Sequence, residues 1–315
     1  MNDNAGSRPT APPRAVQVAA QAKVNLRLRI LARETSGYHQ LETLFLRLEL
    51  ADTVRVRRTS GARTLDVAGD VDAAALGPVE HNLAWRAAEA YHHCRAMDGG
   101  FAIEIDKRIP IGGGLGGGSA DAAAVLRALD AMADEPLGDS ALLQIAATLG
   151  ADVPFLTTSD PYAIAWGRGE RMLALPPLPS RAVLLVLPGF GVNTAKAYRW
   201  LAESRDAVDP VSGPEATMIR LGSLSDWDAV ASFAANDFEP VVASRHPEIA
   251  RQVAALHALD CVVSMMTGSG STVFGVGNAP DFAFAVDDPV VPPGDPTRYL
   301  RTRSATQVEP LSVIE

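Results

Sequence analysis

The sequence predicts an α+β protein built as two domains. Three observations carry that reading. At 315 residues the chain is long enough for two separate cores. Strand-like and helix-like periodicities are mixed along its length with no internal repeat. The segment Pro176-Pro177-Leu178-Pro179 breaks the pattern near the middle and marks the expected boundary, giving domains over 15–175 and 176–315.

Residues 1–14 are polar and Pro-rich, without the apolar stretch of a secretory leader, and predict a disordered tail. Gln17 to Leu31 alternates apolar residues with Lys23, Asn25, Arg27 and Arg29, which predicts one strand or two. Glu34 to Gly37 reads as a turn. Leu41 to Arg57 alternates again, as strands broken near Ala51-Asp52. Asn82 to Cys94 has helical composition, with Asn82 in the N-cap position. A strand at Phe101 to Ile105, a glycine run, and helices over Ala120 to Met132 and Ser140 to Leu149 follow, the last closed by Gly150. Strands are predicted at Tyr162 to Trp166, Met172 to Leu175, Ala182 to Leu187, Cys261 to Met266 and Thr272 to Val276. Helices are predicted at Thr194 to Glu203, Asp226 to Ala234 and Pro247 to Leu259. The Asp- and Pro-rich region 278–297 reads as irregular, and its prolines leave the last helix short or absent.

Composition excludes several function classes. A net charge of -9 argues against a polyanionic partner such as nucleic acid, though a small phosphorylated ligand needs only a local positive site. The longest aliphatic run, Ala182 to Leu187, is far too short to span a bilayer. Cys94 and Cys261 lack metal or redox spacing and read as incidental thiols of a reducing, cytoplasmic protein. His81, His92, His93, His246 and His257 show no spacing that would bind a metal and read as structural.

The run Pro110-Ile111-Gly112-Gly113-Gly114-Leu115-Gly116-Gly117-Gly118-Ser119-Ala120-Asp121 is the strongest functional signal. Glycines at that density cost backbone entropy, and a strand, a glycine turn and a helix N-terminus together present bare N–H groups and a positive dipole end to an anion. A Walker loop is excluded because no lysine precedes Ser119. The dinucleotide pattern matches at Gly112, Gly114 and Gly117, but the following helix leads into another helix rather than a strand ending in a ribose-binding acid. Protein-kinase motifs are absent downstream. Ser119 sits where a hydroxyl could reach a Mg²⁺ held between phosphate oxygens, or could cap the helix.

The loop resembles the P-x-x-x-G-L-G-x-S-[SA]-A phosphate motif of the GHMP kinases. Ala22-Lys23-Val24-Asn25-Leu26 resembles the family's N-terminal strand, and Thr267-Gly268-Ser269-Gly270-Ser271 its third glycine motif. The segments from Ser36-Gly37-Tyr38-His39 to Phe45, Gly150-Ala151-Asp152-Val153-Pro154-Phe155 and Asn236-Asp237-Phe238-Glu239-Pro240 are similar to one branch, kinases of a cytidylyl-linked alcohol. The chain departs from that branch at Ser36, where an Asp is usual, and at Leu46, where Gln is frequent.

The resemblance implies a two-domain fold: an N-terminal domain like domain 2 of ribosomal protein S5, a ferredoxin-like C-terminal α/β sandwich, and an active site in the cleft between them. It implies ATP and Mg²⁺ as cofactors and a small-molecule substrate, with no membrane partner and a monomeric or homodimeric state. Asp152 would take the proton of the attacking hydroxyl, beside Lys23. Pro110, Gly112, Gly113, Gly114, Leu115, Gly116, Gly117, Gly118, Ser119 and Ala120, with Lys107 and Asn82, would bind the nucleotide, and Ser119 would touch the metal. Asn25, Tyr38, His39, Thr194, Tyr198 and Asp152 would contact the alcohol, with Tyr38 and Tyr198 stacking on its cytosine. A homoserine- or mevalonate-type kinase, and a catalytically dead nucleotide-binding regulator on the same fold, are the rival readings.

Overall fold

The computed structural model describes residues 12–33, 39–69, 71, 77–95, 98–206, 221–284 and 296–314. Tyr38, the turn at 34–37 and the greater part of 278–297 lie outside them, as do the first eleven residues.

Two sheets organise the described residues. The first is centred on β1 (Ala15–Arg33) and β2 (His39–Thr59), two long antiparallel strands. Along β1 every second side chain from Val16 through Val18, Ala20, Ala22, Val24, Leu26, Leu28 to Ile30 is buried, the period-2 pattern read from the sequence. Each such Val, Leu or Ile contributes about 1.5–3 kcal/mol on burial. The expected break near Ala51-Asp52 is instead a register slip inside a continuous strand: Gln21 faces Ala51 while Lys23 faces Arg47. Beyond β2 lie β3 (Thr64–Gly69) and β4 (Gly100–Lys107), in the order β1-β2-β4-β3, with β3 running parallel to β4. β5 (Tyr162–Gly167) pairs with the first part of β2, and β6 (Arg171–Ala174) with β5.

Helices α1 (Leu83–Arg95), α2 (Gly117–Ala131), α3 (Asp139–Leu149) and the short α4 (Val153–Thr157) form a layer in which α2 packs on β1 and β2. The helix expected from Ala120 begins three residues earlier. Gly117 makes this possible: a Cβ there would lie 3.0 Å from Ile109 Cγ2 and 3.3 Å from Lys107 Nζ. With no Cβ at Gly117, the helix start packs against Ile109 and Lys107 without either side chain having to shift.

The second sheet is antiparallel, in the order β11 (Arg298–Arg303), β7 (Ala182–Leu187), β10 (Val273–Gly277), β9 (Cys261–Met266). Helices α5 (Thr194–Asp206), α7 (Phe238–Ala243) and α8 (Pro247–Ala258) share a core with it, built from residues such as Leu184, Val186, Phe238, Ile249 and Leu256. Helix α6 (Trp227–Phe233) is capped by Asp226, whose carboxylate accepts from the amides of Asp228 and Ala229. Among the described residues no helix follows β10.

The chain beyond residue 176 also returns to the first sheet. β8 (Ala235–Asn236) runs parallel to β1 at Arg27 and Leu28, and β12 (Ser312–Val313) pairs with Val16 and Gln17. The larger core is continuous across both sheets, joining Val24 and Phe45 to Val183, Leu185, Val263 and Phe274.

Candidate active site

The glycine run lies where β1, β4, α2 and the β9–β10 turn converge. Gly112, Gly114 and Gly116 all have positive φ (78°, 82° and 74°), a conformation that side chains disfavour. Gly116 is the N-cap of α2, and no side chain caps that helix. The first turn of α2 therefore presents uncapped amides of Gly117, Gly118 and Ser119 at the positive end of the helix dipole. Ser119 is inside the first turn rather than at the cap position.

Two of the cavities that border this loop hold the sequence-predicted residues. One, of about 280 Å³, is lined by His81, Asn82, Leu83, Lys107, the residues from Pro110 to Gly118, and Asp121. The other, of about 220 Å³, is lined by Lys23, Asn25, Thr43, Ser119, Asp152, Thr194 and Tyr198, with Gly268 and Ser269 of the second glycine turn. Gly114 and Gly116 line both, so the loop is their common wall.

On the second side, Lys23 Nζ lies 3.1 Å from Asp152 Oδ2. The lysine is nearly buried and the aspartate partly open, at 3% and 29% side-chain exposure. Asp152 is the N-cap residue of α4 by position, yet its carboxylate caps no amide and is free for other chemistry. Its helix is clasped from behind by Arg47, fully buried, which donates to the carbonyls of Phe155 (3.0 Å) and Thr158 (2.9 Å). Burial draws the Arg47 guanidinium down to about 9. Lys23 is also held through its backbone, its N–H donating to Leu115 O at 3.0 Å, which ties the dyad to the glycine loop. Register shifts flank this stretch, skipping Ala22 and Leu26, while Lys23 stays opposite Arg47 and Asn25 opposite Phe45.

Asn25 is buried with its amide already engaged: Nδ2 donates to Thr43 Oγ1 at 2.8 Å and Oδ1 accepts from Lys23 Nζ at 2.8 Å. Tyr198 stacks on His39 with ring centroids 4.1 Å apart and meets the edge of Phe238 at 4.9 Å. Burial and the nearby Asp152 carboxylate both raise the Tyr198 hydroxyl above its ordinary range. Thr194 Oγ1 is 2.9 Å from Ser269 Oγ. The structure thus gathers every described residue assigned to the alcohol except His39 into the lining of one cavity, with His39 reaching it through its stack on Tyr198. Tyr38 lies outside the described residues.

On the first side, Asn82 caps α1, its Oδ1 accepting from the Ala84 amide at 2.9 Å. Lys107 lines the cavity but is 6% exposed, its ammonium bonded to Asp52 and, at 2.7 Å, to Asp121. Asp52 spends its other oxygen on the amides of Arg108 (2.5 Å) and Ile109 (2.8 Å), where the chain leaves β4 for the loop. Sequence reasoning missed Asp52; the available signal was an acid in the middle of a strand. Thr267, named within the third glycine motif but given no role of its own, lies against Asn25.

Among the described residues no group of three or more His, Cys, Asp or Glu could hold a metal, and no helix is long and apolar enough to cross a membrane. Cys94 is exposed and Cys261 buried, both free.

Residues 82–168 match the GHMP kinases N terminal domain and residues 219–287 the GHMP kinases C terminal domain. A 4-diphosphocytidyl-2-C-methyl-D-erythritol kinase of Geobacter sp. (strain M21) is 40% identical over 83% of this chain and 89% of its own length. The enzyme of the same name from Parvibaculum lavamentivorans is 38% identical over 83% and 88%. A crystal structure of 4-(cytidine 5'-diphospho)-2C-methyl-D-erythritol kinase superposes with a TM-score of 0.65 at 36% identity, covering 84% of this chain and 91% of that one. A homoserine kinase from Cytophaga hutchinsonii shares the fold at a TM-score of 0.67 but only 15% identity, covering 98% and 100%.

Proposed function

The chain belongs to the GHMP kinases, among the 4-diphosphocytidyl-2-C-methyl-D-erythritol kinases, and from this premise we propose how its residues divide the reaction between the two cavities. The enzyme uses ATP to phosphorylate the 2-hydroxyl of 4-diphosphocytidyl-2-C-methyl-D-erythritol, giving the 2-phosphate and ADP. The reaction is a step of the methylerythritol phosphate route to isopentenyl diphosphate.

One observation carries the assignment of roles. The glycine loop separates a cavity lined by Asn82 and Lys107 from one lined by Lys23, Asp152 and Tyr198. ATP occupies the first, with its phosphates on the loop amides and the terminal phosphorus turned toward Gly114 and Gly116. The alcohol occupies the second. Its hydroxyl oxygen attacks the terminal phosphorus in line, the bond to the ADP oxygen breaks, and the proton passes to the Asp152 carboxylate. Lys23 neutralises charge gathering on the transferred group, the larger part of catalysis in reactions of this type. Asp152 acts late, orienting the hydroxyl and taking its proton, a role worth about 10²–10⁴ in rate. The cytidine stacks on Tyr198, and His39 and Tyr38 complete its pocket.

Mg²⁺ suits the donors at the loop: Ser119 offers a hard hydroxyl oxygen on the Asp152 side, and phosphate oxygens and water supply the rest of such a shell. Bound there, the ion would neutralise phosphate charge.

The test is an ADP-release assay on the purified protein with a panel of alcohols, including homoserine and mevalonate. Turnover is expected with the cytidylyl substrate alone. Asp152→Asn is expected to lower kcat at least a hundredfold while ATP binding, measured separately, is retained. A variant turning over at near the parent rate would remove Asp152 from the chemistry.

A further inference from the structure

The two motifs left without a chemical role are the Asn236-Asp237-Phe238-Glu239 segment and Thr267 of the second glycine turn. They meet behind Lys23. Thr267 follows β9, is fully buried, and bonds twice to Asn25: its Oγ1 accepts from the Asn25 amide N–H at 3.1 Å and donates to Asn25 Oδ1 at 3.3 Å. That Oδ1 also receives Lys23 Nζ at 2.8 Å.

The hydrogen-bond pattern leaves no freedom in this arrangement. Thr43 Oγ1 gives its only hydrogen to Arg27 O at 2.8 Å, so toward Asn25 it can only accept. Asn25 must therefore turn Nδ2 to Thr43 and Oδ1 to Lys23 and Thr267. With its hydrogen on that Oδ1, the Thr267 hydroxyl is the second donor holding the oxygen against which the lysine rests.

Thr267 is braced in turn. Asn236 Nδ2 donates to the carbonyls on both sides of it, Met266 O at 2.8 Å and Gly268 O at 2.9 Å. Glu239 accepts from the Met266 amide at 2.7 Å, and the Thr267 N–H donates to Thr272 O at 3.0 Å. Asn236 itself belongs to β8, which is paired to β1 at Leu28.

We propose that Thr267, fixed by Asn236, is a positioning residue for phosphoryl transfer: through Asn25 it sets the Lys23 ammonium against Asp152. The inference rests on the reading of Lys23 and Asp152 as the reacting pair. It adds that the last third of the chain governs kcat by orienting a lysine on the first strand, with no contact to either substrate required.

Three variants test it in the ADP-release assay: T267V, which keeps the shape and removes the hydroxyl; T267S, which keeps the hydroxyl; and T267V combined with K23M. T267V removes both bonds to Asn25, one of them to the oxygen that holds the Lys23 charge, and should cost roughly tenfold to a hundredfold. T267V is expected to lose that much in kcat, with KM for ATP and for the alcohol within about twofold of the parent. T267S should retain most of the activity. In the K23M background T267V should cost nothing further, because the element it positions is gone. The proposal is overturned if T267V keeps kcat within threefold, if T267S loses as much as T267V, or if the loss persists undiminished without Lys23. Should T267V not fold cooperatively, T267A is judged by the same criteria. Asp152→Asn run alongside separates the two levels of failure. An active Asp152→Asn enzyme defeats the reacting pair itself; an inactive one beside a fully active T267V defeats only the relay.

Discussion

Asp121→Asn should remove a pH dependence of stability between about pH 4 and pH 7. Asp121 is 4% exposed; its Oδ2 accepts from Lys107 Nζ at 2.7 Å, and its Oδ1 is buried with no hydrogen-bond partner. Lys107 also binds Asp52, so one cation serves two buried acids, and Asp52 is further favoured by two backbone amides. Burial pushes the Asp121 carboxyl up to about 7; Lys107 opposes this and Asp52 reinforces it. Burial pulls Lys107 down, but the Asp121 and Asp52 carboxylates more than reverse it and leave the ammonium above its ordinary value.

An acid whose folded pKa is raised holds its proton in the native state after the unfolded chain has released it. Between the model-peptide value of 3.8 and about 7 the unfolded state therefore binds fewer protons, and stability falls as pH rises. The slope cannot exceed about 1.4 kcal/mol per pH unit, so the whole window amounts to about 4 kcal/mol at most, and to about 2 if the Lys107 ammonium shifts toward the ionised acid. Lys107 does not confound the window, because a raised lysine gives up its contribution only above its unfolded value of 10.5. Urea unfolding of both proteins at pH 5, 6, 7 and 8, at one ionic strength, measures the difference directly. Relative to Asp121→Asn, the parent should lose about 1–3 kcal/mol between pH 5 and pH 8, because only the part of the window above pH 5 is spanned. A difference that stays flat, or that grows in favour of the parent with pH, would refute the picture of an acid kept neutral by burial.

Two further outcomes follow from the loop and from the second cavity. Gly114→Ala forces a side chain into φ +82° and places its Cβ 2.5 Å from Thr267 O, so it should cost about 1–3 kcal/mol in urea unfolding and over tenfold in kcat/KM. Gly118→Ala, whose Cβ would meet nothing nearer than Leu83 at 3.8 Å, should leave stability unchanged or slightly improved, and equal destabilisation by both would sink the argument. Tyr198→Ala removes one face of the base pocket and should raise KM for the cytidylyl alcohol about tenfold to a hundredfold, with KM for ATP unmoved; an unchanged alcohol KM would rule out the stack.

What could be read in advance divides along physical lines. The β1 pattern from Val16 to Ile30 is local and strict, and the strand is where the alternation places it. The start of α2 was misplaced because glycine propensity argues for a loop, whereas contact with Ile109, eight residues earlier, decides for a helix. β11 carried no readable signal: Arg298–Arg303 is a strand because β7 offers it a ladder more than a hundred residues earlier. The two-residue strands β8 and β12 exist only as additions to β1. Lys107 reads as a cation available to phosphate, and nothing local reveals that Asp52 and Asp121 enclose it.

The catalytic strand shows the limit most clearly. Periodicity places Gln21, Lys23 and Asn25 together on the face of β1 opposite the aliphatic residues, and a lysine on such a face is ordinarily solvated. All three are buried, at 1%, 2% and 2% exposure. Alternation reports which residues share a face; whether that face is wet depends on what is laid over it. Here the cover is the glycine loop, through Leu115 O on the Lys23 amide, and the second glycine turn, through Thr267 on Asn25. Both covers are rich in glycine because they approach backbone to backbone: a Cβ on Gly114 would meet Thr267 O, and one on Gly268 would lie 3.3 Å from Gly114 O. The glycines that read as a phosphate grip are thus equally what lets two distant turns close over one strand and bury its lysine beside an acid.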